Sequence, residues 1–199
     1  MSAANAVLTT GRLTLEPLTA AHAAALFEGL SAPSLYQFIP QNPPASLEAL
    51  QARYQRLESR SSPDGAEWWL NWAIRLGTDG DYVGLIEATV DEDNVASMAW
   101  YVFPARQRQG YAKEAALRLR EHLADAFMAE AFKVFIDTRN QASIALVESL
   151  GFKREALLPN ADNFKGSKSD EYRYGYKPGG AAKPAAKSAA KPATRKVRR

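Results

Sequence analysis

The chain has 199 residues, 46% hydrophobic and 24% charged, the composition of one globular domain long enough to bury a real core. Its formal net charge of +3 is uneven: seven basic and no acidic residues follow Pro178, leaving 18 basic against 22 acidic in the body, which argues against a nucleic-acid surface on the domain itself. With no cysteine, two histidines and no apolar run near the roughly 18 residues of a membrane span, the chain excludes disulfides, thiol catalysis, a histidine-rich metal site and a bilayer helix.

Residues 1–11 form an N-terminal extension without a basic region followed by an apolar block, so no secretory leader is expected. Arg12 to Leu18 alternates as an opening strand. Thr19 caps a helix from Ala20 to about Leu30, with Ala23, Leu26, Phe27 and Leu30 on one stripe. Ser31 to Ala45 holds four prolines and reads as a loop. Ser46 caps a second helix that turns Leu47, Leu50, Tyr54 and Leu57 inward. After a turn at Ser61 to Gly65, strands are expected at Trp68 to Leu76 and Tyr82 to Asp91, joined through Thr78 to Asp81.

Val95 to Phe103 is apolar on both faces, as a buried strand is, and Pro104 ends it because proline cannot donate to the ladder. A short basic loop, Arg106-Gln107-Arg108-Gln109, closes at Gly110. Ala112, Ala115, Ala116, Leu119, Leu123, Ala126 and Phe127 then recur at helical spacing. Lys133 to Arg139 is a short strand. Gln141 to Leu150 is a helix stopped by Gly151, and Lys153 to Leu158 with Glu171 to Lys177 is a closing strand pair around a polar loop, Pro159 to Asp170. The low-complexity Ala/Lys/Pro segment 178–199 is expected to be a disordered basic tail with at most nonspecific polyanion or nucleic-acid contacts. The element order indicates an α+β sheet with some parallel pairing.

Strand, glycine-containing basic loop and helix together suit an anion. The first helical turn leaves N–H groups without partners and carries the positive end of the dipole. Gly110 and Ala112 let a phosphate approach the main chain, and Arg106, Arg108 and Lys113 add full charges. A lone Gly-x-Ala before a helix is more often a tight turn than a phosphate site. The glycine patterns of the common nucleotide-binding folds are absent.

The order Gln107-x-x-Gly110-x-Ala112, with Asn140-x-x-Ser143 and Leu150-Gly151-Phe152 downstream, resembles the GNAT superfamily of N-acetyltransferases. RNQASIALVESLGFKREALL is most similar to the branch containing the ribosomal-protein N-terminal acetyltransferases. The resemblance covers roughly Arg12 to Lys177. It implies a partly splayed central β-sheet flanked by helices in a single domain (residues 12–177), with acetyl-CoA as co-substrate and no metal. It also implies that Gln107, Arg108, Gln109, Gly110, Tyr111, Ala112 and Lys113 hold the pyrophosphate. The pantetheine arm would lie along Tyr101, Val102 and Phe103, with Asn140 and Ser143 beside it. A plain core strand and a helix N-cap are the alternatives for these two sets.

Acetyl transfer to an amine needs an anchored donor, a neutral amine, a hydrogen bond to the developing oxyanion and a proton for the leaving thiolate. Ser143 is the candidate for that last proton. Glu87, a charge in mid-strand, and Asp162, in the polar loop, are the candidate bases, with a salt bridge or solvated charge as the alternative for each. Tyr36, Phe38 and Trp69 would line the acceptor cleft. The expected acceptor is a protein N-terminal α-amine, with a small-molecule amine next. A different class of reading is an inactive relative that binds nucleic acid through the tail. A cytoplasmic monomer or homodimer is expected.

Overall fold

Alternating apolar and polar residues along successive segments build a meander that everything else packs against. The computed structural model describes residues 2–179. Strands β1 (Leu8–Thr9), β2 (Leu13–Pro17), β3 (Trp68–Leu76), β4 (Tyr82–Val90) and β5 (Val95–Val102) pair antiparallel in sequence order. Strand β6 (Ala131–Asp137) then lies parallel to β5, followed in space by β8 (Ser167–Tyr176) and, at the edge, β7 (Lys153–Phe164). Among the described residues four α-helices complete the fold: α1 (Ala23–Leu30), α2 (Leu47–Leu57), α3 (Tyr111–Ala126) and α4 (Gln141–Ser149). The expected mixed α+β architecture is the one observed.

Because both sheet faces are covered, the central strands are apolar on both sides. Leu70, Trp72, Ile74, Ile86 and Met98 join Ala115, Leu119, Leu123 and Val147 in the core beneath α3 and α4. Ala73, Leu85 and Phe103 join Leu26, Leu30, Leu50 and Tyr54 beneath α1 and α2. The two helical layers therefore sandwich a sheet whose opposite faces lead to different chemistry.

The feature that positions the site is a parting of strands. β5 and β6 pair only at Val95↔Ala131, Ala96↔Phe132 and Ser97↔Lys133. Beyond Ser97, β6 continues against β8 from Phe132↔Tyr176 to Asp137↔Glu171, while β5 continues against β4 as far as Val102↔Gly84. The sheet splays from this point.

Three segments differ from the sequence reading. Residues 1–11 are integrated with the sheet: Leu8 and Ala4 are buried and Trp72 Nε1 donates to the Ala6 carbonyl at 2.9 Å. Pro159 to Asp170 is the outer part of a long hairpin, not a loop. Its two-residue turn, Lys165-Gly166, has both φ angles positive (50° and 77°), the geometry that suits the twist of a hairpin. The 31–45 segment contains one 3₁₀ turn, Pro33–Tyr36, which buries Tyr36. The basic tail lies outside the described residues from position 180 onward. Among the described residues no helix is long and apolar enough to cross a membrane.

Candidate active site

On one side of the parted strands, the loop from Pro104 to Gly110 turns the chain from β5 into α3. Gln107 Nε2 donates to the Val102 carbonyl at 2.9 Å, so this side chain ties the loop to the strand end. Arg106 is held away by an exposed ion pair with Asp81 at 2.6 Å. Arg108 and Gly110 have positive φ angles of 62° and 84°, and left-handed residues of this kind recur in anion-binding turns of main-chain amides. Among the described residues, the N–H groups of 108 to 113 meet no protein acceptor; the first one satisfied in α3 is Glu114, on the Gly110 carbonyl at 3.1 Å. Lys113 and Gln109 are exposed, Tyr111 and Ala112 half-buried.

Arg12, which the motif did not identify, reaches this loop from the start of β2. It pairs with Glu114 at 2.7 Å, donates to the Gln109 carbonyl at 2.9 Å and stacks over the Tyr111 ring at 4.8 Å. Burial would raise the Glu114 carboxyl, but hydrogen bonds from Thr10 and Arg12 overcome it and lower its pKa. Arg12 thus engages carbonyl and carboxylate groups, leaving the amides of the helix mouth open.

Strand β5 supplies the second element. Phe103 N–H donates to Val83 O at 2.8 Å, and main-chain direction alternates along a strand. Tyr101 and Phe103 therefore point their N–H groups at β4, while Trp100 and Val102, beyond the last β6 pairing at Ser97, turn theirs into the gap left by β6. Of Tyr101, Val102 and Phe103, only Val102 presents its main chain there. The Phe103 side chain is core: it packs on Gly29 so closely that a Cβ there would sit 2.5 Å from its ring.

Across the gap, the end of β6 and the start of α4 are fixed by a polar network. Asp137 is buried and accepts from Arg139 Nε at 2.9 Å, Arg139 Nη2 at 2.6 Å and Ser169 Oγ at 2.5 Å. Burial alone would raise its pKa, yet these hydrogen bonds bring it down to about 2. Asn140 caps α4 by accepting the Ser143 N–H at 3.2 Å. The Ser143 hydroxyl is half-buried and makes no hydrogen bond among the described residues.

The other sheet face holds the acceptor side. Asn71, Glu87 and Ala99 form one cross-strand row, flanked by Trp69, Thr89 and Ser97. Two cavities of about 230 Å³ and 320 Å³ open along it and share Arg53, Leu57, Asn71 and Glu87. The first runs beneath α2 past Tyr36, Tyr54 and Tyr101. The second runs past Trp69 and Phe135 to Ser97, Met98 and Ala99, where the strands part. The Glu87 carboxylate makes no hydrogen bond or salt bridge among the described residues; burial raises its pKa and Arg53 opposes that.

Residues 12–153 match the profile of the acetyltransferase (GNAT) domain. The chain belongs to the GNAT acetyltransferase family. This GNAT chain is an N-acetyltransferase, and solved structures carry the same fold. A GNAT-family acetyltransferase from Bacillus anthracis aligns over 86% of this chain and 98% of its own, with TM-score 0.75 and 18% identity. The RimL ribosomal L7/L12 α-N-protein acetyltransferase in complex with coenzyme A aligns over 86% and 98%, with TM-score 0.76 and 20% identity. A GCN5-related N-acetyltransferase from Brucella melitensis aligns over 87% and 79%, with TM-score 0.73 and 20% identity. At these identities the likeness is one of fold. No curated protein is similar enough in sequence to match.

The GNAT chain brings most of its sequence-marked residues around the splay, with exceptions. Tyr36 and Trp69 line the cavities, although Trp69 Nε1 is occupied by Glu67 at 2.8 Å. Phe38 lines neither cavity. Asp162 is a strand residue paired with Ser169, not a loop residue, and also lines neither. Burial raises the pKa of nearby Glu171, and the charges of Asp162 and Asp137 push it the same way. Arg53, Tyr54, Asn71 and Phe135 were not identified as site residues. For Asn71 a signal existed, a polar residue between Leu70 and Trp72 in mid-strand, the argument applied to Glu87. A last tie closes the site from outside: Lys165 Nζ, at the hairpin tip, donates to the carbonyls of Tyr36, Ile39 (3.0 Å) and Gln41 (3.3 Å).

Proposed function

We propose that this GNAT enzyme moves an acetyl group from acetyl-CoA to a primary amine, preferentially a protein N-terminal α-amine, by direct attack in a ternary complex. The carrying observation is the position of Glu87. It pairs across β4 and β5 with Ala99, and cross-strand neighbours have Cβ atoms ~4.5–5.5 Å apart. An unpaired carboxylate with a raised pKa thus stands beside the place where β5 loses its β6 partner.

The groups around the gap suit acetyl-CoA. Among the described residues six consecutive amides have no acceptor, which suits a diphosphate; a Cβ at Gly110 would meet only the flexible end of Arg12 at 3.2 Å, and it is the φ of +84° that favours glycine there. The N–H groups of Trp100 and Val102 offer strand-like hydrogen bonds to an extended arm, and one of them would polarise a carbonyl lying against it. Acetyl-CoA supplies the thioester whose acyl carbon the amine attacks. Glu87 takes one proton from the ammonium, and after attack the second proton shed by the nitrogen passes through the Ser143 hydroxyl, which has no other partner among the described residues, to the departing sulfur. Asp162 is kept as a second carboxylate that attracts a cationic acceptor to the hairpin side of the cleft.

The preference for an α-amine follows from proton affinity. A lysine amine titrates near ~10.4 and an α-amine near ~7.7–8.0, so a carboxylate of raised pKa deprotonates the latter with far less work. The groove past Trp69 and Phe135 gives a peptide a path out of the site. RimL, named for a ribosomal-protein α-amine, supports the same class. Mass spectrometry of acetyl-CoA turnover over free-α-amine peptides, lysine-only peptides and polyamines tests the reading. The expected order puts α-amine peptides first; acetylation of polyamines alone would refute it.

A further inference from the structure

Arg12 and Gln109 lie 97 residues apart in the chain, yet Arg12 Nη1 donates to the Gln109 carbonyl at 2.9 Å. The same guanidinium donates to Glu114 through Nε at 2.7 Å and pairs with it through Nη2 at 2.7 Å. Its carbon lies over the Tyr111 ring, 4.8 Å from the centroid. The main chain of Arg12 is tied down as well. Its N–H donates to Glu114 Oε1 at 3.0 Å, its carbonyl accepts from Gly77 at 2.8 Å, and Thr10 Oγ1 donates to the same carboxylate at 2.6 Å.

The bond to Gln109 acts on a whole peptide unit. A trans peptide is planar, with the C=O of one residue and the N–H of the next pointing in opposite directions. Holding the Gln109 carbonyl therefore turns the Gly110 N–H away from Arg12, and that N–H meets no acceptor among the described residues. This peptide can invert cheaply. Inversion changes the φ of Gly110, now +84°, and glycine takes either sign of φ about as readily. Inverted, the unit would turn a carbonyl oxygen where the N–H now points, and its partial negative charge would repel a diphosphate.

Resting on the function proposed above, we propose that Arg12 is the positioning residue of the diphosphate loop: its grip on the Gln109 carbonyl keeps the Gly110 N–H aimed at the phosphates of coenzyme A. The charge of Arg12 is balanced by Glu114, so it acts through the loop and not as a phosphate ligand. Arginine suits this task, because its planar fork serves a carboxylate and a carbonyl at once in a fixed geometry that a lysine ammonium lacks.

The test titrates coenzyme A into the full chain, into Arg12→Met and into the double variant Arg12→Met with Glu114→Gln, with melting temperatures and steady-state kinetics recorded for each. The double variant removes both charges, so no bare carboxylate is left to repel the phosphates. The expected result is a Kd for coenzyme A raised roughly tenfold or more in both, as loss of a charge-assisted hydrogen bond allows. The KM for acetyl-CoA should rise in step, while kcat at saturating acetyl-CoA and the KM for the amine stay near parental values. Parental affinity in the double variant overturns the inference, since the loss in Arg12→Met is then the charge of Glu114 alone. Salt separates positioning from contact, because exposed charge pairs are screened. The dependence of Kd on ionic strength should be the same in the double variant as in the parent, and a weaker one makes Arg12 a phosphate ligand and overturns its positioning role. Arg12→Lys keeps a cation beside Glu114 and guards against a Met variant that fails to fold. It should lose affinity at a near-parental melting temperature, and parental affinity there contradicts the inference. If the unaltered protein binds no coenzyme A, the proposed function itself fails and this inference with it. If it binds and the variants match it, only the role of Arg12 fails.

Discussion

Glu87→Gln keeps the shape of the side chain and removes its charge, so activity and stability should move in opposite directions. A positioned general base contributes typically ~10²–10⁴-fold to a rate, and kcat/KM for the amine should fall within that range. The stability effect follows from proton linkage. In the unfolded chain the carboxyl titrates near 4.5, and burial raises it in the native state against the pull of Arg53. Between those two values the native protein holds a proton that the unfolded chain has shed. Stability therefore falls as pH rises, by ~1.4 kcal/mol for each pH unit crossed. Above the native pKa the penalty is constant, and below 4.5 it is absent. Glu87→Gln lacks the penalty, so it should melt higher than the parent at pH 7 to 8, by ~2–4 °C for each kcal/mol relieved, and the difference should close below pH 4.5. Differential scanning calorimetry across pH, paired with kcat/KM profiles on an α-amine peptide, reads both. A variant with parental activity and an unchanged acid limb would refute the assignment of the base. A variant that melts lower at neutral pH would refute the account of its burial.

Three further outcomes follow from the surrounding structure. Asp137→Asn should cost about 2 kcal/mol at pH 7, because the native carboxyl titrates at about 2 against an ordinary 3.8 and each unit is worth ~1.4 kcal/mol; that contribution is complete above the unfolded value and is lost as pH falls through about 2, so urea titrations at pH 7 and pH 2 should differ. Lys165→Met breaks the tie to the Tyr36, Ile39 and Gln41 carbonyls and should raise the KM for the amine several-fold while leaving that for acetyl-CoA alone, as steady-state kinetics will read. Gly29→Ala drives a methyl into the Phe103 ring, 2.5 Å away, and should destabilise by ~1–3 kcal/mol as overpacking does, measured by denaturant unfolding, with acetyl-CoA affinity retained because Phe103 is core.

The parts of the fold legible in the sequence are those whose residues repeat with one period. Trp68 to Leu76 shows period two, Val95 to Phe103 is a short run apolar on both faces, and the stripe from Ala115 to Leu123 shows period 3.6; all three elements are observed. The outer hairpin was missed because β7 is an edge strand with mostly exposed side chains, so no hydrophobic alternation marks it. Two residues of β1 are too short for a period, although Leu8 is fully part of the core. Side-chain chemistry was legible where it broke a pattern, as Glu87 does. It was hidden where it obeyed one: Tyr54 sits at an inward position of α2, as its spacing says, and nothing in that spacing reveals an unpaired hydroxyl. The direction of main-chain groups was illegible too, since Tyr101, Val102 and Phe103 read alike until register assigns their N–H groups to opposite sides. Gln107 matched a motif by identity, and only its bond to Val102 O reveals a bracing role.

The central claim is that the amides opening α3 grip the diphosphate of coenzyme A. Isothermal titration of coenzyme A into the parent protein, Gly110→Ala and Gly110→Trp tests it most directly. Gly110 has φ +84°, so either substitution strains the backbone by ~1–2 kcal/mol, and the alanine variant serves as the control for that strain. Binding to the parent, retained binding to Gly110→Ala and none to a folded Gly110→Trp is the predicted result. Equal affinity in all three would contradict the claim.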